Sequence, residues 1–363
     1  MISFLHTADV HIGKPYGRFP RDVALRLSQE RISVLDRCVD QARTHSVNHI
    51  LVAGDLFDSP SPDESLVLQA LEVVSETPSI TWWVIPGNHD PAASPVWDFV
   101  RSRNLSNFHI LDRFEPVLMS PGFWIFPAPI LGSSQDRDPT LFWSDFVVPK
   151  GDVPVGLAHG SVASFGSNPL DNVLNVENWK DQGLSCVALG DWHNPKTIDT
   201  GVFYAGTPEP DGFDSGGFVN LVTLDKKGVS TQQLSTAGVF WHDVVSTLPP
   251  DLRVDDVQRL VSSSRPSGRA RQSVWRWRPT GRLSVFARQA LEAAFEKETQ
   301  GFLFAEIVWN DVTVDWADAR EMDIPQGALG DAFEGLRQKH KETPDEVHER
   351  ALSLFAQFLE ETR

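Results

Sequence analysis

Short apolar runs alternate with polar segments along much of the chain, and this alternation predicts the order of its elements. Five runs have the length and apolar character of buried strands, and they cover residues 4–8, 50–53, 82–85, 155–158 and 186–189. Apolar residues at helical spacing predict a helix after each of the first three strands, over 24–44, 63–76 and 95–103. Strands and helices in alternation are typical of a layered α/β fold.

The later part of the chain predicts a second sheet and a smaller domain. Short strands over 123–126, 202–204 and 218–224 indicate a second sheet packed on the first. The strand pattern breaks near 236–250, and 262–272 has the Ser, Gly and Arg content of a loop. A small β-α-β unit is then predicted, with a strand over 273–278, a helix over 283–299 and a strand over 302–309.

We therefore predict an α/β protein in which two packed mixed sheets are flanked by helices, with a smaller α+β cap and a C-terminal helix. The predicted parts are a large domain over 1–238, the cap over 239–320 and a helical segment over 321–363. In that last segment, residues 343–346 have the pattern of a helix start. The apolar stripe that follows is Val347, Ala351, Leu354, Phe355, Phe358 and Leu359. This stripe can dock on its own domain or on a partner.

Each of the five predicted buried strands ends in a block of Asp, Asn and His. The blocks are Asp9-Val10-His11, Gly54-Asp55-Leu56-Phe57-Asp58, Gly87-Asn88-His89-Asp90, His159-Gly160 and Gly190-Asp191-Trp192-His193. The carboxyl ends of parallel strands open onto one crevice, so we expect these distant blocks to form one cluster. Side chains two positions apart on an extended segment point the same way. Asp9 and His11 can therefore bind one ion together, and so can Asp191 and His193.

Imidazole and carboxylate donors without cysteine favour Mn²⁺, Fe²⁺, Zn²⁺ or Mg²⁺ over metals that prefer thiolate. The blocks contain more candidate ligands than the three or four of a single catalytic zinc. The sequence therefore predicts a two-metal site, in which the ions activate water and stabilise charge on a phosphoryl group.

The ordered blocks resemble the calcineurin-like metallophosphoesterase superfamily over roughly residues 1–225. This resemblance implies one ion on Asp9, His11, Asp55 and His193, and a second ion on Asp55, Asn88, His159 and Asp191. It also implies that His89 faces the scissile phosphate, as transition-state stabiliser or proton donor, and that Asp58 supports the ligands. Mn²⁺ is the metal that we expect, with Mg²⁺, Fe²⁺ and Zn²⁺ as alternatives.

One block departs from the family pattern. Asp191 stands where the family usually has the first histidine of Gly-His-x-His. A carboxylate is a good ligand for Mn²⁺ or Mg²⁺, so the site can survive with a changed metal preference. Its negative charge would hold the second ion and weaken the attraction of the site for phosphate. Loss of activity is the alternative interpretation.

Within the superfamily, the chain resembles the SbcD-type nuclease subunits of double-strand-break repair, which include bacterial DNA repair exonucleases. The resemblance rests on the opening segment 7–15, the block that ends at Asp58, the segment 204–208 and the accessory domain after the large one. It implies a metal-dependent DNA nuclease, a cap that presents DNA, and a C-terminal helix that docks on an SMC-like ATPase. A homodimer is a further implication.

The charge distribution leaves the nucleic-acid prediction open. The net charge is −17, whereas phosphate binding relies on Lys and Arg. The segment 265–282, however, contains six arginines and no acidic residue. Within it, residues 274–278 alternate Trp and Arg like a half-buried strand. The arginines form either a phosphate-binding face or a solvated face over a tryptophan core.

Other features bear on location. No continuous apolar run approaches 18 residues, so we expect no membrane span. The first strand starts close to Met1, which leaves no room for a signal peptide. Cys38 and Cys186 fall in a predicted helix and a predicted buried strand, as small core residues of a reduced compartment. These features predict a cytoplasmic protein.

Three functions remain open at this point. The first is a DNA nuclease subunit that works with an ATPase. The second is a phosphohydrolase for nucleotides or cyclic diesters, which the acidic charge favours. The third is a non-catalytic scaffold, for which Asp191 is the support.

Overall fold

The protein is described by a computed structural model, which divides into two compact units. Unit 1 is Met1–Trp241 and unit 2 is His242–Arg363. The described residues are 2–132, 137–162, 172–177, 179–225, 228–249, 252–315, 327–343, 345, 347–348, 351–352 and 355. The division into a catalytic domain, a cap and a docking helix stays a prediction.

Unit 1 begins with alternating strands and helices. These are β1 (Ile2–Thr7), α1 (Arg21–Thr44), β2 (His49–Ala53), α2 (Glu64–Ser75), β3 (Thr81–Ile85), α3 (Pro95–Ser102) and β4 (Phe108–Ile110). The four strands are parallel neighbours in this order. The three predicted helices are present to within a few residues, because their apolar spacing is regular over two or more turns.

The remaining strands of unit 1 range from two to eight residues in length. They are β5 (Val117–Ser120), β6 (Phe123–Ala128), β7 (Val153–His159), β8 (Ser161–Val162), β9 (Val173–Leu174), β10 (Cys186–Gly190), β11 (Lys196–Asp199), β12 (Val202–Tyr204), β13 (Phe218–Asp225) and β14 (Gly228–Ser235). A 3-10 helix covers Leu141–Asp145. Several of these, including β4, β5 and β14, were not predicted, since they are short or mostly polar.

Two mixed six-stranded sheets form unit 1, as the sequence predicts. The first has the order β14-β13-β1-β2-β3-β4 and the second β11-β12-β10-β7-β6-β5. Antiparallel pairing of β13 with β1 and of β5 with β6 makes both sheets mixed. The predicted strand over 218–224 (now β13) therefore lies in the first sheet rather than in the second.

Apolar side chains fill the space between the two sheets and both outer faces. Phe4, Leu51 and Val155 belong to the core between the sheets. The helices α1 to α3 cover the other face of the first sheet through Leu35, Trp97 and their neighbours. Since both faces of β2 and β3 are buried, these two strands are almost continuously apolar.

Unit 2 contains a small sheet and three helices among its described residues. Its elements are β15 (Phe240–Thr247), α4 (Val254–Ser264), β16 (Ser273–Ser284), α5 (Val285–Glu298), β17 (Phe304–Ile307), β18 (Val312–Asp315) and α6 (Ala328–Glu342). The strands β16 and β17 pair in parallel across α5, which confirms the predicted β-α-β unit. The predicted loop over 262–272 is wrong at both ends, because α4 extends to Ser264 and a 3-10 turn covers Ala270–Gln272.

The strand β16 has tryptophan on one face and arginine on the other. Trp275 and Trp277 are fully buried. The Nε atom of Arg276 donates to Glu306 at 2.9 Å, and that of Arg278 donates to Asp243 at 2.8 Å. These arginines are therefore partly neutralised by carboxylates within their own unit.

The C-terminal stripe lies only partly within the described residues. Phe355 packs against the core of unit 2, with its ring centroid 5.5 Å from that of Phe333. Val347 is exposed, and Leu354, Phe358 and Leu359 lie outside the described residues. Part of the stripe therefore docks on its own unit. In the described part of the chain, every helix is too short or too polar to cross a membrane, and the cytoplasmic location stays a prediction.

Candidate metal centre

The five polar blocks meet at one end of the two sheets of unit 1. The blocks follow β1, β2, β3, β7 and β10. Hydrogen bonds join blocks from different sheets: the N–H of Asp191 donates to both carboxylate oxygens of Asp9 at 3.1 Å. The Nδ1 atom of His159 lies 2.7 Å from the carbonyl oxygen of Ala53. The chain therefore brings residues 106 and 182 positions apart into one buried crevice, as parallel strand ends should.

The backbone of the blocks is strained. Asp9, His11 and Asp55 have φ between 51° and 54°, and Asp191 has φ of 104°. L-residues seldom adopt this left-handed region, and such strain is concentrated at functional sites. These turns end the strands and leave Asp9 and His11 in the crevice, while Val10 between them packs in the apolar core.

Two glycines allow the blocks to approach one another closely. A Cβ atom on Gly87 would lie 2.2 Å from the Oδ1 atom of Asp55, and one on Gly190 would lie 1.9 Å from the carbonyl oxygen of Ala53. Both distances are far inside van der Waals contact. Glycine at these positions therefore sets how near Asp55 and Asp191 come to the other donors.

One side of the crevice is rich in imidazole, and we call Asp9, His11 and His193 the imidazole side. The Nε2 atoms of His11 and His193 lie 3.2 Å apart. Donor atoms of the three residues all lie within 4.8 Å of one another. Asp9 and His11 are buried, while the side chain of His193 is 33% exposed.

The opposite side is richer in oxygen, and we call Asn88, His159 and Asp191 the oxygen side. The Nε2 atom of His159 lies 2.6 Å from Oδ1 of Asn88 and 3.9 Å from Oδ1 of Asp191. The hydroxyl of Ser161 donates to Oδ2 of Asp191 at 2.6 Å. The side chain of Asp191 is 27% exposed, so this side reaches the solvent.

Asp55 lies between the two sides. Its Oδ2 atom is 3.8 Å from Nε2 of His11 and 3.5 Å from Nε2 of His159. The N–H of His89 donates to its Oδ1 atom at 2.8 Å. The structure therefore brings Asp55 close to ligand candidates of both sides.

His89 and Asp58 lie beside the imidazole side. The side chain of His89 is 44% exposed, and its Nδ1 atom lies 3.0 Å from the carbonyl oxygen of Asp58. The rings of His89 and His11 meet edge to face, with centroids 4.6 Å apart. Oδ1 of Asp58 lies 3.2 Å from Nδ1 of His11. Asp58 thus contacts both histidines.

The charge states in the crevice are set by burial and by the ion pair of Asp55 with His159. Burial lowers the pKa of His11 to about 4 and raises the pKa of Asp9 to about 6. Burial would also lower the pKa of His159, but the charge of Asp55 holds that pKa well above its usual range. Conversely, burial would raise the pKa of Asp55, and His159 brings it below its usual range.

Comparison with known protein families identifies the family of the chain that forms this crevice. Residues 2–195, more than half of the chain, match the model of the calcineurin-like phosphoesterase family. The chain belongs to the calcineurin-like phosphoesterase family. This confirms the superfamily that the ordered blocks resemble.

Named relatives of this phosphoesterase include a nuclease subunit and a DNA repair protein. A subunit of the nuclease SbcCD of Escherichia coli K12 is 26% identical over 269 residues, which cover 61% of this chain and 65% of the relative. The DNA double-strand break repair protein Mre11 of Methanosarcina mazei is 32% identical over 226 residues, which cover 57% of this chain and 33% of the relative. The match thus spans less than two-thirds of either relative.

A solved structure also matches. It is a dimetal phosphatase from Danio rerio, which is 13% identical, with 65% of this chain and 96% of that chain covered and a TM-score of 0.42.

The donor set of the phosphoesterase fits divalent ions. The Nε2 atoms of His11 and His193 lie close together. Their lone pairs would repel each other unless a proton or a metal ion lay between the two nitrogens. On the oxygen side, carboxylate and amide oxygens converge on one imidazole. The predicted site residues all lie in or beside the crevice. They are Asp9, His11, Asp55, Asp58, Asn88, His89, His159, Asp191 and His193.

The other histidines of unit 1 lie in different places. His6 is buried between the sheets beside Phe203, with ring centroids 5.6 Å apart. His109 stacks on Trp83, whose indole N–H lies 3.2 Å from Nδ1 of His49. These three histidines have packing positions.

Several supporting residues of the phosphoesterase were not predicted. Asp90 accepts the backbone N–H groups of Gly87 at 2.7 Å and of Phe57 at 2.9 Å, which ties two blocks together. Ser161 holds Asp191, and two further residues, Arg31 and Asp211, contact the imidazole side from behind. Asp90 belongs to its block, and its position could have indicated a role. The other three lie in stretches without a motif.

Proposed function

We propose that this phosphoesterase hydrolyses phosphodiester bonds with two divalent ions, as a DNA exo- or endonuclease subunit in DNA repair. The convergence of the polar blocks in one crevice of unit 1 is the observation that supports the chemistry. The names of the two relatives, one a nuclease subunit and the other a DNA double-strand break repair protein, support DNA as the substrate class. Mn²⁺ is the metal that we propose, because both sides offer a mixture of imidazole and oxygen donors.

We assign the ligands by the two sides of the crevice. Asp9, His11 and His193 hold one ion, and Asn88, His159 and Asp191 hold the other. Asp55 is shared, since its Oδ2 atom lies between an imidazole of each side. When bound, two such ions supply a water of lowered pKa and positive charge that faces the phosphate.

His89 acts on the phosphate or on the leaving oxygen. In the protonated ring, Nδ1–H donates to the carbonyl oxygen of Asp58, 3.0 Å away. The carboxylate of Asp58 lies 3.9 Å from the same nitrogen and stabilises the positive charge. Nε2–H can then donate to a phosphate oxygen or protonate the leaving group. Asp58 thereby orients both His89 and His11.

No covalent enzyme intermediate is required. Water attacks phosphorus in line with the leaving oxygen, and His89 either stabilises the charge that develops on the phosphate or supplies the proton that the leaving oxygen needs. Asp55 remains ionised, because His159 keeps its pKa below the usual range. A fixed carboxylate charge at the centre of the crevice suits a residue that two ions share.

The proposed partners are DNA and an SMC-like ATPase. The relative from Escherichia coli is named as one subunit of a nuclease. We propose that part of segment 321–363 contacts the ATPase and that unit 2 helps present DNA. A homodimer is a further proposal.

A second candidate is a phosphohydrolase for nucleotides or cyclic diesters. The carboxylate partners of Arg276 and Arg278 favour it, because they reduce the positive charge available for a DNA backbone. The net charge of −17 also favours the second candidate over a DNA nuclease.

The test is hydrolysis by the purified full chain with Mn²⁺. The substrates are linear double-stranded DNA, single-stranded DNA and bis-p-nitrophenyl phosphate, and the variants are Asp55→Ala and His89→Ala. DNA cleavage that both variants lose supports the nuclease. Turnover of the small diester without DNA cleavage favours the second candidate or a nuclease that requires its ATPase. No turnover of any substrate contradicts both and favours a scaffold impaired by Asp191.

A further inference from the structure

A buried arginine joins the first block to the segment after β12. The side chain of Arg31, on α1, is fully buried. Its Nη1 atom donates to the carbonyl oxygen of Val10 at 3.0 Å and to the hydroxyl of Thr207 at 2.8 Å. Its Nε atom donates to the hydroxyl of Tyr16 at 2.9 Å. A buried guanidinium is costly without such partners, so these bonds fix the backbone between Asp9 and His11.

A carboxylate continues this network to the last block. The Oδ2 atom of Asp211 lies 3.0 Å from Nδ1 of His193. It also accepts from Nζ of Lys14 at 2.5 Å and lies 3.6 Å from Nη2 of Arg31. Burial would raise the pKa of Asp211, but its hydrogen bond with His193 and the charge of Arg31 hold that pKa well below the usual range.

The geometry separates Asp211 from the ligand candidates. Its carboxylate contacts Nδ1 of His193, whereas the Nε2 atom on the other edge of the ring faces His11 at 3.2 Å. A carboxylate bonded to the rear nitrogen of a ligand histidine fixes the ring orientation and makes the front nitrogen a better donor. Arg31 contacts both this carboxylate and the backbone beside His11. One network therefore supports two members of the imidazole side.

We propose that Asp211 and Arg31 are positioning residues, which hold His193 and the Asp9-to-His11 turn in the geometry that binds the ion of the imidazole side. The proposal rests on the metal site under Proposed function. It adds that Asp211 and Arg31 support the binding of one ion and not of the other. Loss of Asp211 should weaken the ion of the imidazole side and leave the ion of the oxygen side bound.

The test is Mn²⁺ binding to the metal-free full chain, measured by isothermal titration calorimetry. His193→Ala identifies the binding step that belongs to the imidazole side. We expect Asp211→Ala to weaken that same step about 10- to 100-fold, with the other step changed less than about threefold. Asp211→Glu should recover part of the affinity, because it restores a carboxylate within reach of the ring.

A double variant distinguishes positioning from a general structural effect. If Asp211 acts through His193, Asp211→Ala should add little to a chain that already carries His193→Ala, so the two effects should not sum. Asp214→Ala is the matched control, since it removes an exposed carboxylate from the same loop. The circular dichroism melting curve of each metal-free variant reports folding, and Asp211→Asn replaces Asp211→Ala if the latter does not fold.

The outcomes separate this proposal from the proposed function. If the unmodified chain binds two ions and the Asp211 variants bind them equally well, the positioning role is wrong and the metal site stands. If both steps weaken equally, or if the double variant shows full additivity, the role is also wrong. If the unmodified chain binds no ion, the metal site itself is wrong, and the positioning role with it.

Discussion

The imidazole side and the oxygen side of the centre are supported in different ways. On the imidazole side, Asp9 and His11 are buried. Asp211 contacts His193, and Arg31 contacts the backbone beside His11, in both cases through charged hydrogen bonds. On the oxygen side, Asp191 is partly exposed, and a single hydroxyl, that of Ser161, contacts its carboxylate side chain at hydrogen-bond distance among the described residues.

This difference indicates where the centre can accept a change of ligand. Asp191, the departure from the usual family pattern, lies on the side opposite the contacts of Asp211 and Arg31. A histidine replaced by a carboxylate on the imidazole side would disturb a packed charge network. The same replacement on the oxygen side leaves that network intact.

The largest expected effect comes from Asp55→Asn, because Asp55 lies within reach of both sides. The substitution keeps the size of the side chain and removes the charge that both ions would share. We expect kcat/KM for bis-p-nitrophenyl phosphate with Mn²⁺ to fall more than about 1000-fold. Asp40→Asn, at an exposed position of α1, should have no effect. A residual rate within about tenfold would show that the two sides work independently.

His89→Gln should have the next largest effect. The ring lies against the imidazole side but is not needed to hold an ion there, so the variant separates catalysis from metal binding. We expect kcat to fall about 100- to 1000-fold while both Mn²⁺ binding steps stay unchanged by calorimetry. His45→Gln, at the end of α1, is the matched control. A weakened binding step would instead make His89 part of the metal site.

The arrangement of the centre could largely be predicted from the sequence, since each block follows a buried strand and parallel strand ends converge. The strands β2 and β3 are recognisable because both of their faces are apolar. The convergence of the blocks at one end of the sheets then follows from the layered fold. The resemblance of the blocks to the superfamily, now confirmed, supplies the roles that pattern alone does not.

The support behind the ligands could not be predicted, because it depends on tertiary contacts between isolated residues. Arg31 lies on a helix whose other members are ordinary core and surface residues, and Asp211 lies in a loop 180 positions away. The same limit applies to unit 2. The alternation of Trp and Arg predicts the two faces of β16, but it does not reveal that Glu306 and Asp243 pair with the arginines.

Asp191→His should change metal preference rather than abolish activity. An imidazole in place of the carboxylate makes the oxygen side softer, which favours Zn²⁺ relative to Mn²⁺ and Mg²⁺. We expect the ratio of Zn²⁺ to Mn²⁺ affinity at the oxygen-side step to rise about 10- to 100-fold. Ser161→Ala, which keeps the carboxylate but removes its hydroxyl partner, is the control and should shift the ratio less. An unchanged ratio would mean that Asp191 is not a ligand.

The smallest expected effect is the pH dependence of metal binding, and it differs between the sides. His159 is protonated in the metal-free protein near pH 7, because the charge of Asp55 raises its pKa. His11 is already neutral there, since burial lowers its pKa to about 4. An ion can bind only the neutral imidazole, so binding on the oxygen side must displace the proton of His159. Its affinity should rise up to about tenfold per pH unit below the raised pKa.

On the imidazole side, His11 adds no such dependence above pH 5. His193 does, because its hydrogen bond with Asp211 and the charges of Asp9 and Asp211 together outweigh burial and raise its pKa. Asp9, whose pKa burial raises to about 6, adds a dependence that ends near pH 7. Asp211→Asn removes the charge of Asp211 and should therefore flatten the pH dependence of the imidazole side alone above about pH 7, where Asp9 is already ionised. Calorimetry at pH 6, 7 and 8, in buffers of different ionisation enthalpy, counts the protons released at each step. Equal proton release on both sides in the Asp211→Asn variant would contradict the ion pair of Asp55 with His159 as the source of the difference.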